Sequence, residues 1–562
     1  MPCASKRPSS SPSRCGTIAA SGPRWSGPPR CRSTERTDMP MPPSAPPASL
    51  SPCQNTPAPA WAERALPPVP PQALASARDA AALARLAQQA RADLARLNWP
   101  VPDWSLPAAQ PGGGHALDVL IAGAGMCGQT LAFALLREGI GRIRLIDRAA
   151  RGLEGPWGTY ARMLTLRSPK HLTGPDLGVP SLSFRAWYEA QHGADGWAAL
   201  HKVGRLDWRD YLLWVRDTVG LPVENGVQLL DVAHDGPLLR VRLHGPQGEE
   251  IVYTRKLVLA LGRDGSGAPR WPHYPSLRRD DPLAAGRVFH SADAIDFTAL
   301  AGRHVGVLGV GASAFDNAAC ALEAGARVTQ FARRAQLPQV NKSKWTSFPG
   351  FFHGFERLDD AQRWRFYTYI FSEQVPPPWE TVRRCDAHAA FSLQLGQNWL
   401  DVAPDAQGVR VTTPQGPQRF DAVIFGTGFD VNLLDRPELA PYASAIDTWA
   451  QHVPADEAAR HAEAARFPYL GPGFELRAKA GQPQDVAQAL ARMHLFNWGS
   501  TLSHGALAGD IPGLGIGARR LAAAIASDLF TLDAQAHWQR LLAHDEPELK
   551  DTRWYAPPLS QP

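Results

Sequence analysis

The sequence predicts an α/β fold made of two similar parallel-sheet halves, and three observations carry that prediction. Strand and helix signals alternate from residue 115 onward, the pattern of parallel sheets covered by helices. An apolar strand, a glycine turn and a helix follow one another twice, opening at Asp118 and again at His304. Each copy then passes through short alternating segments into another apolar strand that ends in glycine, Leu257–Gly262 and Ala422–Gly428. At 562 residues the chain has room for two to four domains of ordinary size.

The elements follow in order. Residues 1–70 are expected to be a disordered extension, or residues upstream of a true start at Met39 or Met41. The first 53 are rich in Pro, Ser and Arg and lack apolar periodicity. They hold seven basic residues against two acidic ones, which accounts for the whole net charge of +5. The remainder is neutral, which argues against nucleic acid or an anionic membrane as partner. There is no secretory apolar core and no run of apolar residues long enough to span a bilayer. The seven cysteines form no C-x-x-C pair, so neither a disulfide framework nor a zinc ribbon is expected, and a reducing, cytoplasmic setting is.

Residues 71–113 are expected to hold a helix over 72–97 and a linker. Leu83, Leu86, Ala90, Leu94 and Leu97 recur at helical spacing and make one apolar stripe. Pro100 and Pro102 end it, and Gly113–Gly114 is a hinge.

Residues 114–300 form the first half. The strand Asp118–Ala122 runs into Gly123-Ala-Gly125-Met-Cys-Gly128, then a helix from Gln129 to Arg137, then a strand over Ile143–Ile146 ending at Asp147. This is the context that makes a G-x-G-x-x-G turn meaningful. Gly123 permits the tight turn, Gly125 lets a pyrophosphate approach the backbone, and Gly128 lets helix and strand pack closely. The helix start offers N–H groups and positive potential to that pyrophosphate. Asp147, 24 residues after Gly123, would accept ribose hydroxyls and repel a 2′-phosphate. The first site is therefore expected to hold FAD.

Residues 301–420 repeat the unit: the strand His304–Leu308, the turn Gly309-Val-Gly311-Ala-Ser-Ala314, a helix to about Ala324 capped by Gly325, and the strand Arg327–Phe331. Here the position 24 residues after Gly309 is Arg333, followed by Arg334. Guanidinium groups suit a 2′-phosphate, so NADPH is expected at Gly309, Gly311, Ala314, Arg333 and Arg334. A helical insert follows, rich in aromatics from Trp345 to Phe371, which would serve equally as a water-excluding lid or as packed core. Asn341 opens a short loop with Lys342 and Lys344 at the expected junction of cofactor and substrate. Residues 421–540 are expected to return to the first half, and 541–562 to form a tail.

Two dinucleotide halves in one chain resemble the two-dinucleotide flavoproteins. The disulfide-reductase branch needs a C-x-x-C that is absent, and Cys127 has no partner. The other branch is the class B flavin-dependent monooxygenases, and the resemblance covers most of residues 115–530. Phe425-Gly-Thr-Gly428-Phe429 is similar to that family's A-T-G-[FY] segment, with Gly426 in place of Ala. Gly155-Pro-Trp157 resembles the G-G-x-W turn that lies against the flavin. Leu206–Trp214 is similar to a helix of the N-hydroxylases. Ser503-His504-Gly505, with Asp510 and Arg519 behind it, resembles their T-H-G segment, at a longer spacing.

The resemblance implies an FAD-containing, NADPH-dependent monooxygenase that takes O₂ to a small molecule through a C4a-(hydro)peroxyflavin, with N- or S-oxygenation favoured. It implies flavin or substrate contacts for Trp157, Gly428, His504 and Asp510, and an active-site role for Arg333; the loop that Asn341 opens would hold the nicotinamide phosphate or an anionic substrate, or be simply exposed. Asp510 would alternatively cap a helix starting near Gly515. Baeyer–Villiger oxygenation, a non-oxygenating oxidase or reductase, and a redox-sensing flavoprotein remain open. The histidine-bearing motif of Baeyer–Villiger enzymes is incomplete around His290, a residue that would equally hold the interdomain linker. Substrate and oligomeric state are left open.

Overall fold

The computed structural model describes residues 79–171 and 174–556. The expected amino-terminal tail and residues 72–78 of the expected first helix lie outside these. Residues 71–562 cluster as one unit. Helix α1, Ala80–Arg96, starts where the Asp79 carboxylate accepts the Ala82 N–H at 2.8 Å. Ala90 and Leu94 are buried. The apolar stripe ends there: Leu97, expected on it, caps the helix and is 52% exposed.

The first sheet is built from β1 (Leu117–Ala122), β2 (Ile143–Asp147), β3 (Val223–Asn225), β4 (Gln228–Asp235), β5 (Leu238–Gly245) and β6 (Gly248–Leu259), in the order β3-β2-β1-β6-β5-β4. Strands β1 and β2 are joined by α2 (Met126–Arg137), which starts at the glycine turn. Before β3 come α3 (Phe184–Ala199) and α4 (Arg205–Val219). Residues 119–122 of β1 are buried, as a parallel strand covered on both faces requires. A returning strand over Met493–Leu495 pairs with β6 in parallel.

The apolar strand expected from Leu257 is the second part of a longer one, β6, which starts at Gly248 and ends at Leu259. The first half of β6 pairs antiparallel with β5 and its second half parallel with β1. Arg255 and Lys256 hid this by interrupting the apolar run. Both are buried and paired with the carboxyl-terminal helix region: Arg255 with Asp533 at 2.8 Å and Lys256 with Asp528 at 2.5 Å. Asp118, with no exposed surface, takes Arg142 at 2.9 Å.

A ribbon of β7 (Gly267–Pro269) and a later strand, Phe429–Val431, joins the halves, so close that a Cβ on Gly267 would lie 2.4 Å from the Asp430 carbonyl oxygen. The second sheet comprises β8 (Val288–His290), β9 (His304–Leu308), β10 (Arg327–Ala332), β11 (Phe391–Leu395) and a strand over Ala422–Phe425, every pair parallel. Strand β8 and the 422–425 strand thus fall outside the expected 301–420 limits, yet pair in this sheet. Helix α5, Ala312–Glu323, follows the second glycine turn, and Gly325 lies just past its end with φ +93°. An antiparallel meander over residues 401–420 flanks the sheet.

The aromatic insert divides. Phe351, Phe352, Phe355, Trp364 and Tyr367 are buried in the same core as Leu502 and Leu507. Trp345, Phe348, Phe366 and Tyr369 are exposed.

Candidate functional site

Both glycine turns sit at the carboxyl ends of parallel strands, where such folds bind ligands. At the first, the backbone leaves no choice at two positions. Gly123 has φ +101° and its Cβ would meet the Ala260 carbonyl oxygen at 2.4 Å; a Cβ on Gly128 would lie 1.8 Å from the Gly123 oxygen. Gly125 differs: a Cβ there would touch nothing nearer than the Gly155 Cα at 3.8 Å, and Gly155 faces back at 3.9 Å. Two bare backbone surfaces therefore oppose each other, the helix start of α2 on one side and the Gly155-Pro-Trp157 turn on the other. The two surfaces are within a methyl's width of contact, too close to hold a pyrophosphate between them, so the start of α2 would meet one at the rim of this contact. Trp157 is buried, its indole N–H has no partner among the described residues, and its carbonyl accepts from Arg205.

Asp147 ends β2 as expected. Its carboxylate accepts the Ala124 and Ala149 N–H groups, both at 2.8 Å, so it fastens the strand end to the glycine turn, while burial pushes its pKa up. Residues 149–155 beyond it are clamped by a buried network that local sequence patterns do not reveal. Glu154 accepts from Arg216 at 2.8 Å and from the Asn225 amide at 2.7 Å, and Asn225 also holds the Ala149 carbonyl. Tyr160 then packs on Phe429 at 5.9 Å, and burial pushes its hydroxyl up to about 12. Burial likewise pushes the Cys127 thiol up to about 12, which suits an inert side chain.

At the second turn, Gly309 has φ +114° and nothing lies within 4 Å of a Cβ on Gly311. Ala314 occupies the third position, and its methyl lies 2.4 Å from where a Cβ on Gly426 would sit. The two departures from the usual motifs compensate each other: alanine here, glycine there. Arg333 is exposed, with no hydrogen bond or ion pair among the described residues, and Arg334 donates to the Ser372 carbonyl at 3.1 Å. Gly428 has φ +81° and its carbonyl oxygen takes the Arg270 N–H at 2.9 Å. His290 is fully buried; its Nδ1 accepts from Ala292, so Nε2 donates to the Gly428 carbonyl at 3.0 Å. It ties β8 to the strand after 425, which is the linker role.

Asn341 caps a short helix, Lys342–Trp345, with its side-chain oxygen accepting from Lys344 N at 3.3 Å. Asp510 is half-exposed, 3.7 Å from Arg263, which in turn stacks on Trp498 at 4.1 Å. It caps nothing: the helix Leu514–Leu532 begins at Gly513 without a side-chain cap. His504 requires a correction. A side chain lining a cofactor pocket shows surface to it, and His504 is 2% exposed, stacked on Phe474 at 3.9 Å with Nε2 on the Gly471 carbonyl at 3.0 Å. Burial pushes it down to about 3. Its place is in the core beneath the site.

No group of His, Cys, Asp and Glu among the described residues could hold a metal ion, and no described helix is long and apolar enough to cross a membrane.

A family model described as FAD-NAD(P)-binding matches residues 120–264. The FAD-dependent urate hydroxylase of Xanthomonas campestris pv. campestris is 42% identical over 467 residues, 83% of this chain and 97% of that protein. The reduced form of ornithine hydroxylase from Pseudomonas aeruginosa shares the fold at TM-score 0.58 and 19% identity, covering 74% of this chain and 100% of that one. L-lysine 6-monooxygenase from Pseudomonas syringae does so at TM-score 0.55 and 18% identity, covering 73% and 99%. Two glycine turns after parallel strands, and a relative this similar along almost its whole length, place the chain in one family: it belongs to the class B flavin-dependent monooxygenases.

Proposed function

We propose that this chain hydroxylates urate or a close oxo-purine, with NADPH as reductant and O₂ as oxygen source. The observation that carries this reading is the 42% identity to a urate hydroxylase over 97% of its length. The chemistry supplied by bound FAD is hydride acceptance from the nicotinamide and activation of O₂. The chain's own residues bind and orient. The start of α2 at Gly125 would meet the flavin pyrophosphate, and Asp147 would meet the ribose. Gly309, Gly311 and Ala314 would admit the nicotinamide dinucleotide, with Arg333 and Arg334 on its 2′-phosphate. Trp157, with Tyr160 packed on Phe429, would wall the flavin edge from water. Asn341, in the short turn before the insert, would contact the nicotinamide or the substrate.

The test is a coupled assay on FAD-loaded protein: NADPH oxidation, O₂ uptake and loss of urate absorbance, measured together. Equal rates support the reading. NADPH oxidation with urate untouched overturns it. The same assay with amines, sulfides and ketones tests the N- or S-oxygenation suggested by Ser503-His504-Gly505 and the Baeyer–Villiger alternative.

A further inference from the structure

The end of β6 abuts the first glycine turn. Ala260 N–H donates to the Ala122 carbonyl at 2.8 Å, and a Cβ on Gly123 would lie 3.2 Å from the Leu261 nitrogen. Gly262, with φ +75°, turns the chain just beyond, so Arg263 and Asp264 stand beside the glycine turn. Asp264 lies 3.2 Å from Arg148, the residue after Asp147. A third segment meets the turn from the carboxyl-terminal side. Gly509 is hydrogen-bonded through its backbone to the Cys127 thiol, inside the turn, and a Cβ on Gly509 would lie 3.3 Å from the Trp498 backbone.

The Arg263 guanidinium stands between these segments. It lies 4.1 Å from the centre of the Trp498 indole and 3.7 Å from the Asp510 carboxylate. The first is a stacking contact, and the second is longer than a hydrogen bond. Among the described residues its side chain makes no hydrogen bond. Neighbouring cations are engaged: Arg148 with Asp264, and Arg216 with Glu154 at 2.8 Å. The stacking platform is also pre-set. Ser266, with no exposed surface, donates to Asn497 Oδ1 and accepts the Gly499 N–H, both at 2.9 Å. The loop carrying Arg263 is thereby tied to the loop carrying Trp498. Stacking uses only the face of a guanidinium, so its N–H donors, which lie in the plane, stay available at the edge.

We infer that Arg263 binds the FAD pyrophosphate: stacked on Trp498, it offers its N–H edge to the phosphate oxygens that the start of α2 meets. A helix start carries about half a unit of positive charge, too little to balance a diphosphate, and a planar fork matches two phosphate oxygens. The inference rests on the proposed seat of the pyrophosphate at the start of α2, and not on the choice of substrate. The rival ligand for the same guanidinium is the substrate anion, and the test separates the two.

Holoenzyme is diluted, and the FAD Kd is read from the fluorescence of released flavin. Arg263→Gln should raise it about ten- to hundredfold, the range of a charge-assisted pair. Arg263→Lys, which keeps the charge and loses the stacked fork, should fall between. Added NaCl should raise the wild-type Kd and raise that of Arg263→Gln less steeply; a merely structural loss would leave the salt dependence as it is in wild type. Wild-type FAD affinity in Arg263→Gln overturns the inference, as does weakened binding with wild-type salt dependence. A urate Kd raised in Arg263→Gln beside unchanged FAD affinity overturns it in favour of the substrate. If Arg263→Gln gives no soluble protein, Arg263→Lys decides alone: wild-type FAD affinity there overturns the inference. Gly125→Val protein that keeps its FAD overturns the seat of the pyrophosphate itself, whereas loss of FAD there beside wild-type affinity in Arg263→Gln overturns only the role of Arg263.

Discussion

One added methyl has opposite consequences at Gly125 and at Gly128. At Gly125 a Cβ meets only the Gly155 Cα at 3.8 Å, in a backbone conformation open to any residue, so the fold tolerates it. Gly125→Val should give folded protein with the melting temperature of FAD-free wild type and no bound FAD, because the branched side chain would block the pyrophosphate's approach to the helix start. Flavin absorbance after purification checks it; full flavin content would put the pyrophosphate elsewhere. Gly128→Ala, 1.8 Å from the Gly123 oxygen, should instead fail to give soluble protein. A second pair of positions tests packing. Gly426→Ala places a methyl 2.4 Å from that of Ala314 and should destabilise by about 1–3 kcal/mol, as overpacking does. Adding Ala314→Gly removes that methyl but leaves the residue-314 Cα at 2.7 Å and the Leu308 oxygen at 3.0 Å, so it should recover only part of the loss. Urea denaturation of the four proteins measures the coupling, and simple additivity would refute the compensation.

Among elements, those whose signals are local were legible. Strand β9 occupies the residues its apolar run marks, and both glycine turns begin their helices. What stayed hidden depends on partners distant in the chain. The junction inside β6 looks like a break because Arg255 and Lys256 are charged, and carboxylates distant in the chain, Asp533 and Asp118 for Arg255 and Asp528 for Lys256, make their burial tolerable. His504 carried a family-like motif, but the stacking of Phe474 on it is a tertiary fact. The clamp on residues 149–155 is of the same kind, because Glu154 and Arg216 lie 62 residues apart. It also makes a testable element. Arg216→Met strips a buried carboxylate of its counter-charge and should destabilise by about 3–5 kcal/mol in urea denaturation. Because that loop carries Gly155, FAD affinity should fall as well. Glu154→Gln added to Arg216→Met should recover stability, since no buried charge is then left unpaired. A single substitution that leaves both stability and FAD affinity intact would show the clamp to be idle.

At the scale of the whole molecule, one turn occurs twice in one chain, and under the proposed reading, with a different dinucleotide at each, the electrostatics at equivalent positions must keep the two apart. The first half ends its second strand on Asp147, buried enough to raise its pKa and fastened to the glycine turn. The second half leaves its strand at Ala332 and presents Arg333, exposed, and Arg334, held by one contact to Ser372. Paired with a 2′-phosphate, a guanidinium contributes about 1.5–3 kcal/mol, or roughly 10- to 150-fold in kcat/KM for NADPH over NADH at about 1.4 kcal/mol per tenfold. Under the proposed reading Arg334 would give up its carbonyl contact to reach the phosphate, whereas Arg333 has no such contact to break among the described residues, so Arg333→Ala should lose more NADPH affinity than Arg334→Ala. Replacing both should raise the NADPH KM toward that of NADH and leave NADH use nearly unchanged, because only one coenzyme carries the phosphate. A fall in kcat for Arg333→Ala with both coenzymes would add a role beside the flavin, since a lost 2′-phosphate contact acts on KM alone. Steady-state kinetics of wild type and the three variants with both coenzymes decide it. Equal wild-type efficiency with NADH and NADPH would remove these arginines from the coenzyme site and leave the second half without a charge that chooses.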